Sequence, residues 1–137
     1  MAMTLMTTSC HKDEAKSDEF DYTVDRFADI EVLRYKVPGF EDLSLQRKQL
    51  IYYLTEAALW GRDILWDQNN EYNLPIRRML EAVYTNYDGD RDSKDFKNFE
   101  RYLKQVWFAN GIHHHYSTDK FTAEFSREFL AAELEKL

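Results

Sequence analysis

Cysteine occurs once in the 137 residues, at Cys10. A single thiol rules out an intrachain disulfide and any zinc site built on two thiolates. Proline occurs twice and glycine four times, too few turn-formers for a sandwich or barrel of many short strands. No apolar run approaches the ~20 residues of a membrane-spanning helix, so no transmembrane span is expected. Basic clusters are missing too: 18 Lys and Arg stand against 25 Asp and Glu, a formal charge of −7. Binding nucleic acid by neutralising phosphates needs a local excess of base, so nucleic acid is not an expected partner. What the chain has in quantity is aromatic side chains, nine Phe, nine Tyr and three Trp. A disordered acidic chain does not carry such a load. A single, mainly α-helical domain is the expectation.

The opening MAMTLMTTSC followed by HKDEAKSDEF has the polar run after cysteine of a lipoprotein signal. It lacks a basic leading region, and Ala2–Met6 is too short for the apolar core of one. Cys10 therefore has two readings: a lipidation remnant that tethers the chain to the cell envelope, or an incidental thiol in a disordered tail. The second is preferred, and with it a cytoplasmic location. Residues 1–22, polar and without periodicity, form the expected tail or signal remnant, and residues 23–137 the helical domain.

From Phe27 to Val37 apolar residues alternate imperfectly, with Ile30 and Val32 on one face and Leu33, Tyr35 and Val37 on the other. This predicts an extended arm or edge strand ending at the Pro38-Gly39 turn. Four amphipathic helices should come next. The first is capped by Ser44 and runs to about Gln68, burying Ile51, Leu54, Ala58, Gly61 and Leu65, widened by Leu50, Ala57 and Ile64. Gly61 inside it would cost about 1 kcal/mol relative to Ala and calls for a close contact that offsets the cost. Trp60 and Trp66 flank the stripe and are expected to complete a core. The second opens at Asn73-Leu74-Pro75 with Asn73 as cap, buries Ile76, Met79, Leu80 and Val83, and ends at Asn86. The third is capped by Ser93 and buries Phe96, Phe99, Leu103 and Val106, with Asn110-Gly111 as a left-handed stop. A loop from Ile112 to Lys120 leads to the fourth, from about Thr122, with Phe125, Phe129 and Leu134 inward.

His113-His114-His115 is the most conspicuous cluster, since imidazole is the commonest metal ligand. Three consecutive side chains diverge, however, and no acidic or thiol partner stands at a ligand spacing. A loop with one or two histidines facing a cleft or a hydrogen-bond network is the better reading. Asp88-Gly89-Asp90-Arg91-Asp92 places carboxylates at positions 1, 3 and 5 of a calcium loop. Ser93 and Phe99 then occupy the positions that need glycine and a bidentate glutamate, so an acidic turn before a capped helix explains it. No His-Glu-x-x-His helix, no Gly-x-Ser-x-Gly elbow and no phosphate-cradling loop occurs. No catalytic or metal residue is assigned.

The order of segments carries more than any motif. Leu43-Ser44-Leu45, Tyr52-Tyr53-Leu54, Ala57-Ala58-Leu59-Trp60-Gly61 and the loop Asn110-Gly111-Ile112-His113-His114-His115-Tyr116 with Asp119-Lys120-Phe121 resemble the N-terminal segment of bacterial dipeptidyl peptidase III, from about Phe20 to Phe129. The resemblance implies a piece of a two-lobed zinc exopeptidase that releases dipeptides from peptide N-termini, here part of the lobe without zinc. In that family zinc is held by a His-Glu-x-x-Gly-His helix and a Glu-Glu-Cys motif. Neither falls in this sequence, so zinc belongs to the full-length family and no cofactor is expected here. The implied partner is the remaining catalytic lobe, with peptide substrate met only in that context. The Asn110–Tyr116 loop, with Asn110, His114, His115 and Tyr116, is the candidate to approach the cleft. The alternative is a stand-alone helical domain that binds a protein partner. The two differ in a visible way: a segment of a larger enzyme exposes aromatic surface, whereas a stand-alone domain closes its stripes into one core.

Overall fold

The structure, a computed structural model, describes residues 20–137. Cys10 and nearly all of the expected tail lie outside the described residues. The chain then forms a β-hairpin, β1 (Thr23–Phe27) against β2 (Ile30–Leu33), followed by five helices: α1 (Leu45–Trp60), α2 (Arg62–Asn69), α3 (Asn73–Asn86), α4 (Lys94–Ala109) and α5 (Arg127–Leu134). The mainly helical class is as expected.

The expected single arm is instead an antiparallel pair, because the chain reverses at Ala28-Asp29 inside it, with Phe27 opposite Ile30 and Arg26 opposite Glu31. Ala28 has φ 50°, the positive value that a two-residue hairpin turn demands even without glycine. Glu31 accepts hydrogen bonds from Thr23 Oγ1 at 2.8 Å and from Arg26 Nη2 at 2.6 Å across the strands. On the pair Ile30 is buried, Val32 half-buried and Leu33 exposed, but beyond β2 the predicted alternation fails: Arg34, Tyr35, Lys36 and Val37 are all exposed. Pro38-Gly39 turns the chain as predicted. The Phe40 N–H reaches the Val37 carbonyl at 3.2 Å with Gly39 at φ 83°, the value that a type II turn reserves for glycine.

One ion pair fixes the hairpin on α4: Lys104 Nζ lies 2.8 Å from Asp25 Oδ2. The hydrogen bond from Lys104 lowers the Asp25 carboxyl below its ordinary 3.8, and the same bond raises the Lys104 ammonium above 10.5. The lowered carboxylate contributes fully above 3.8 and loses its contribution as pH falls through the folded value. The raised ammonium contributes fully below 10.5 and loses it as pH rises through its own. Amide protection in β1 and β2, the factor by which exchange is slower than in an unstructured chain at the same pH, is therefore expected to be greatest between these limits and to fall beyond either. Asp25→Asn should flatten the acid side of that profile. A hairpin indifferent to pH would show that the pair does not hold it.

The first predicted helix is two helices. Ser44 caps α1, its Oγ accepting the Arg47 N–H at 3.4 Å, but the helix stops at Trp60. Gly61, at φ −80° and ψ −6°, bonds its N–H to the Ala58 carbonyl in a tight turn before α2 begins. The predicted close contact at Gly61 is not there: a Cβ would meet only the Ala58 carbonyl, at 3.5 Å. At a break between helices the interior penalty for glycine does not arise, so no compensation is required. The predicted stripe fails as well. No α1 residue is buried, and of the two tryptophans Trp66 is 3% exposed and Trp60 87%.

The core belongs to α2, α3 and α4. Trp66, Leu80, Val83, Phe96, Phe99, Leu103 and Val106 close on one another, with Phe125, Phe129 and Leu130 packed against them. Asp63 ties α2 to α3 through Arg77 at 2.8 Å, and Arg77 also pairs with Glu81 at 2.9 Å while lying over the Trp66 ring. The α4 prediction is met at both ends. Ser93 Oγ accepts the Phe96 N–H at 3.3 Å, and Asn110 turns left-handed at φ 53° and ψ 41°.

Two terminus predictions need correction. Asn73 is not the cap of α3: Tyr72 occupies that place with no side-chain bond, and Asn73 is the first helical residue, fully buried. The last helix starts at Arg127 rather than Thr122, because Ser126 caps it, accepting the Phe129 N–H at 3.1 Å. Asp95 then accepts both the Ser126 N–H at 3.0 Å and its hydroxyl at 3.2 Å, so one carboxylate at the start of α4 positions the start of α5. Phe125 and Phe129 are half-buried as predicted, but Leu134 is exposed. In the acidic turn Asp88 pairs with Lys136 and Asp92 with Lys97.

Candidate functional site

The histidine loop leaves α4 by the left-handed Asn110, whose conformation redirects the chain across the start of α3. There Asn73 Oδ1 accepts the Ile112 N–H at 3.2 Å, and Asn69 Nδ2 donates to the Asn110 carbonyl at 3.3 Å. Gly111 passes so close to Asn73 that a Cβ would press on the whole carboxamide, with Oδ1 at 3.0 Å. A buried amide that finds backbone partners in this way fixes a loop where an apolar contact would leave a buried N–H unpaired.

Beyond Ile112 the loop folds back on itself. His113 pairs with Lys120 in an antiparallel bridge, the Phe121 N–H donates to the Ile112 carbonyl at 2.9 Å, and the His114 N–H donates to the Asp119 carbonyl at 2.8 Å. Asp119 and Ser117 lock the tip, Ser117 Oγ donating to Asp119 Oδ2 at 3.1 Å. At the bend the Tyr116 N–H donates to His114 Nδ1 at 3.2 Å. This bond makes Nδ1 the acceptor.

The three predicted rings come together. His114 and His115 stack at 4.3 Å, Tyr116 lies 4.2 Å from His115, and Phe108 meets His115 edge-on at 5.0 Å. Asn110 does not join them; its backbone shapes the loop. His114 stands between two hollows. One, about 580 Å³, is bordered by Arg101, Gln105, Tyr116, Lys120 and the hairpin turn at Ala28. The other, about 330 Å³, is bordered by Asn69, Asn73, His113 and His115. Arg101 at the rim of the first is paired with Glu124.

Among the described residues no group of three or more His, Cys, Asp or Glu stands where it could hold a metal ion. The loop offers an imidazole pair, a phenol and a few charged groups, an assembly that can seat a polar ligand. Sequence reasoning missed Asn69, Asn73, Arg101 and Lys120. Asn73 carried a signal for a cap and none for its bond to Ile112, which lies 39 residues away. A scan against models of protein families matches none, and a search of curated proteins finds no match.

Proposed function

We propose that this chain is a scaffolding segment of a zinc-dependent dipeptidyl peptidase, part of the lobe without zinc and inactive by itself. The observation that carries the proposal is α1. Leu45, Leu50, Ile51, Tyr52, Tyr53, Leu54, Leu59 and Trp60 are between 42% and 87% exposed, and Ile64 and Leu65 of α2 continue the surface. Exposed apolar patches beyond a few hundred Å² mark surfaces that another body covers. Such exposure is what a segment of a larger enzyme would display. The segment order resembling bacterial dipeptidyl peptidase III supplies the identity of that enzyme, and the Asn110–Tyr116 loop would then border its cleft.

The test is reconstitution. The purified chain alone is expected to release no dipeptides from peptide N-termini and to retain less than one equivalent of zinc after dialysis. With a polypeptide bearing the His-Glu-x-x-Gly-His helix, encoded beside or beyond this segment, it should form a complex whose dipeptide release stops with a chelator. Cleavage by the isolated chain, abolished by a chelator and restored by zinc, would overturn the proposal.

The closed core of α2–α4 favours a second reading, a helical interaction domain that folds by itself and binds a protein through α1. No helix among the described residues is long and apolar enough to cross a membrane.

A further inference from the structure

Asn110 is the one asparagine of the chain that glycine follows. In such a pair the nitrogen of the following peptide can attack the asparagine carboxamide carbon. A side chain at the next position hinders the attack, and glycine has none, so an unstructured chain closes this ring most readily at Asn-Gly. In the folded chain the peptide between Asn110 and Gly111 is bonded on both sides. Its N–H donates to the Val106 carbonyl at 3.1 Å. Its carbonyl oxygen accepts from Asn69 Nδ2 at 3.3 Å and from Asn73 Nδ2 at 3.5 Å. Asn110 sits in the left-handed region at φ 53° and ψ 41°, and Gly111 is buried.

That arrangement is incompatible with the attack. The nitrogen has to give up its proton, which the bond to Val106 keeps out of reach of hydroxide. The peptide plane also has to rotate until the nitrogen faces Cγ of Asn110, and rotation carries the carbonyl away from both asparagines. Ring closure therefore starts from a locally opened form in which the left-handed stop of α4 is undone. Its rate is the open fraction multiplied by the rate in an unstructured chain.

We propose that Asn110 is a self-modification site, held off while the histidine loop is closed on Asn69 and Asn73 and released when the loop opens. In the step the Gly111 nitrogen bonds to Asn110 Cγ and the Cγ–Nδ2 bond breaks. Nδ2 leaves as ammonia, taking the proton that the peptide nitrogen lost. Water then opens the ring at either of its carbonyl carbons. One opening gives aspartate at position 110, and the other gives isoaspartate, in which the main chain runs through the former side-chain carbon. Nothing is oxidised or reduced, and water is the only other reactant.

The converted chain holds its loop less well. A carboxylate now stands at the C-terminal end of α4, where the helix dipole disfavours negative charge. In the isoaspartate form the additional main-chain carbon also displaces the carbonyl to which Asn69 and Asn73 donate. Because ammonia is lost, the change is one-way, and each opening of the loop carries a chance of becoming permanent. The site goes beyond the peptidase assignment and does not depend on it.

The experiment keeps the purified full chain at mildly alkaline pH and follows the peptide that contains Asn110 by mass spectrometry, as amide turns to acid. Conversion in the folded chain is expected to be at least about a hundredfold slower than in guanidinium chloride. Asn73→Ala removes one donor to the Asn110 carbonyl and the acceptor of the Ile112 N–H. It should quicken conversion of the folded chain about tenfold. Asn69→Ala removes only the other donor and should quicken it less. Cooperative denaturant unfolding shows that each variant is folded, and Asn69→Ala decides the matter if Asn73→Ala is not. Converted chains, separated by their added charge, should show displaced aromatic resonances of His114, His115 and Tyr116. Equal rates with and without denaturant, no conversion at position 110 in denaturant, rates unmoved by the substitutions, or converted chains with unmoved resonances would each overturn the proposal.

Discussion

Phe99→Ala is expected to destabilise the chain by about 3–5 kcal/mol, a large share of the 5–15 kcal/mol by which domains of this size are stable. Phe99 is 0% exposed and meets Phe96, Phe125 and Phe129 at ring separations of 6.1, 5.5 and 5.9 Å. Its removal takes away the transfer free energy of the ring and leaves a cavity whose bordering segments cannot collapse without disturbing one another. The control is Leu54→Ala in α1. Leu54 is 61% exposed, so the same kind of truncation there should change stability by less than about 0.5 kcal/mol. Urea unfolding of the two variants separates the cases. Equal losses would mean that α1 packs on the core in solution.

Gly111→Ala is expected to have the second large effect, about 2–3 kcal/mol, since overfilling a tight site forces its neighbours off their preferred geometry. The new methyl would press on the Asn73 carboxamide. That side chain cannot retreat without dropping its bond to the Ile112 N–H. Asn73→Ala alone leaves this N–H without a partner, at a cost of about 1–3 kcal/mol. In the double variant the clash is gone, so the combined loss should fall short of the sum by about 1 kcal/mol or more. Additive losses would mean that the two residues do not meet. Because the pair anchors the histidine loop, the aromatic resonances of His114, His115 and Tyr116 should shift in both single variants.

The candidate loop was legible only in its ends. Asn110 followed by Gly111 announces a left-handed stop, and three adjacent histidines mark the segment just beyond it. That His114 and His115 would stack, and that His114 would stand between two hollows, depends on the bridge from His113 to Lys120 and on the placement of Arg101 and the Ala28 turn. The hollow in particular joins segments far apart in the chain, and no local spacing encodes that.

Helices obey the same division. Ser44, Ser93, Pro75 and the Phe96–Val106 stripe act within about four residues, the reach of a cap or a helical turn, and the sequence alone placed them correctly. Whether an apolar residue ends up covered is a different matter. Leu54 and Leu103 have the same chemistry and both lie at helical spacings, yet one is exposed and the other buried. Their fate depends on what stands opposite, and burial is a property of two surfaces. The break at Gly61, the bare α1 and the bond from Asn73 to Ile112 were therefore decided by the tertiary structure. The amino-acid order settled a mainly helical chain and the capped starts of α1 and α4, and packing settled which of the helices has a partner within it.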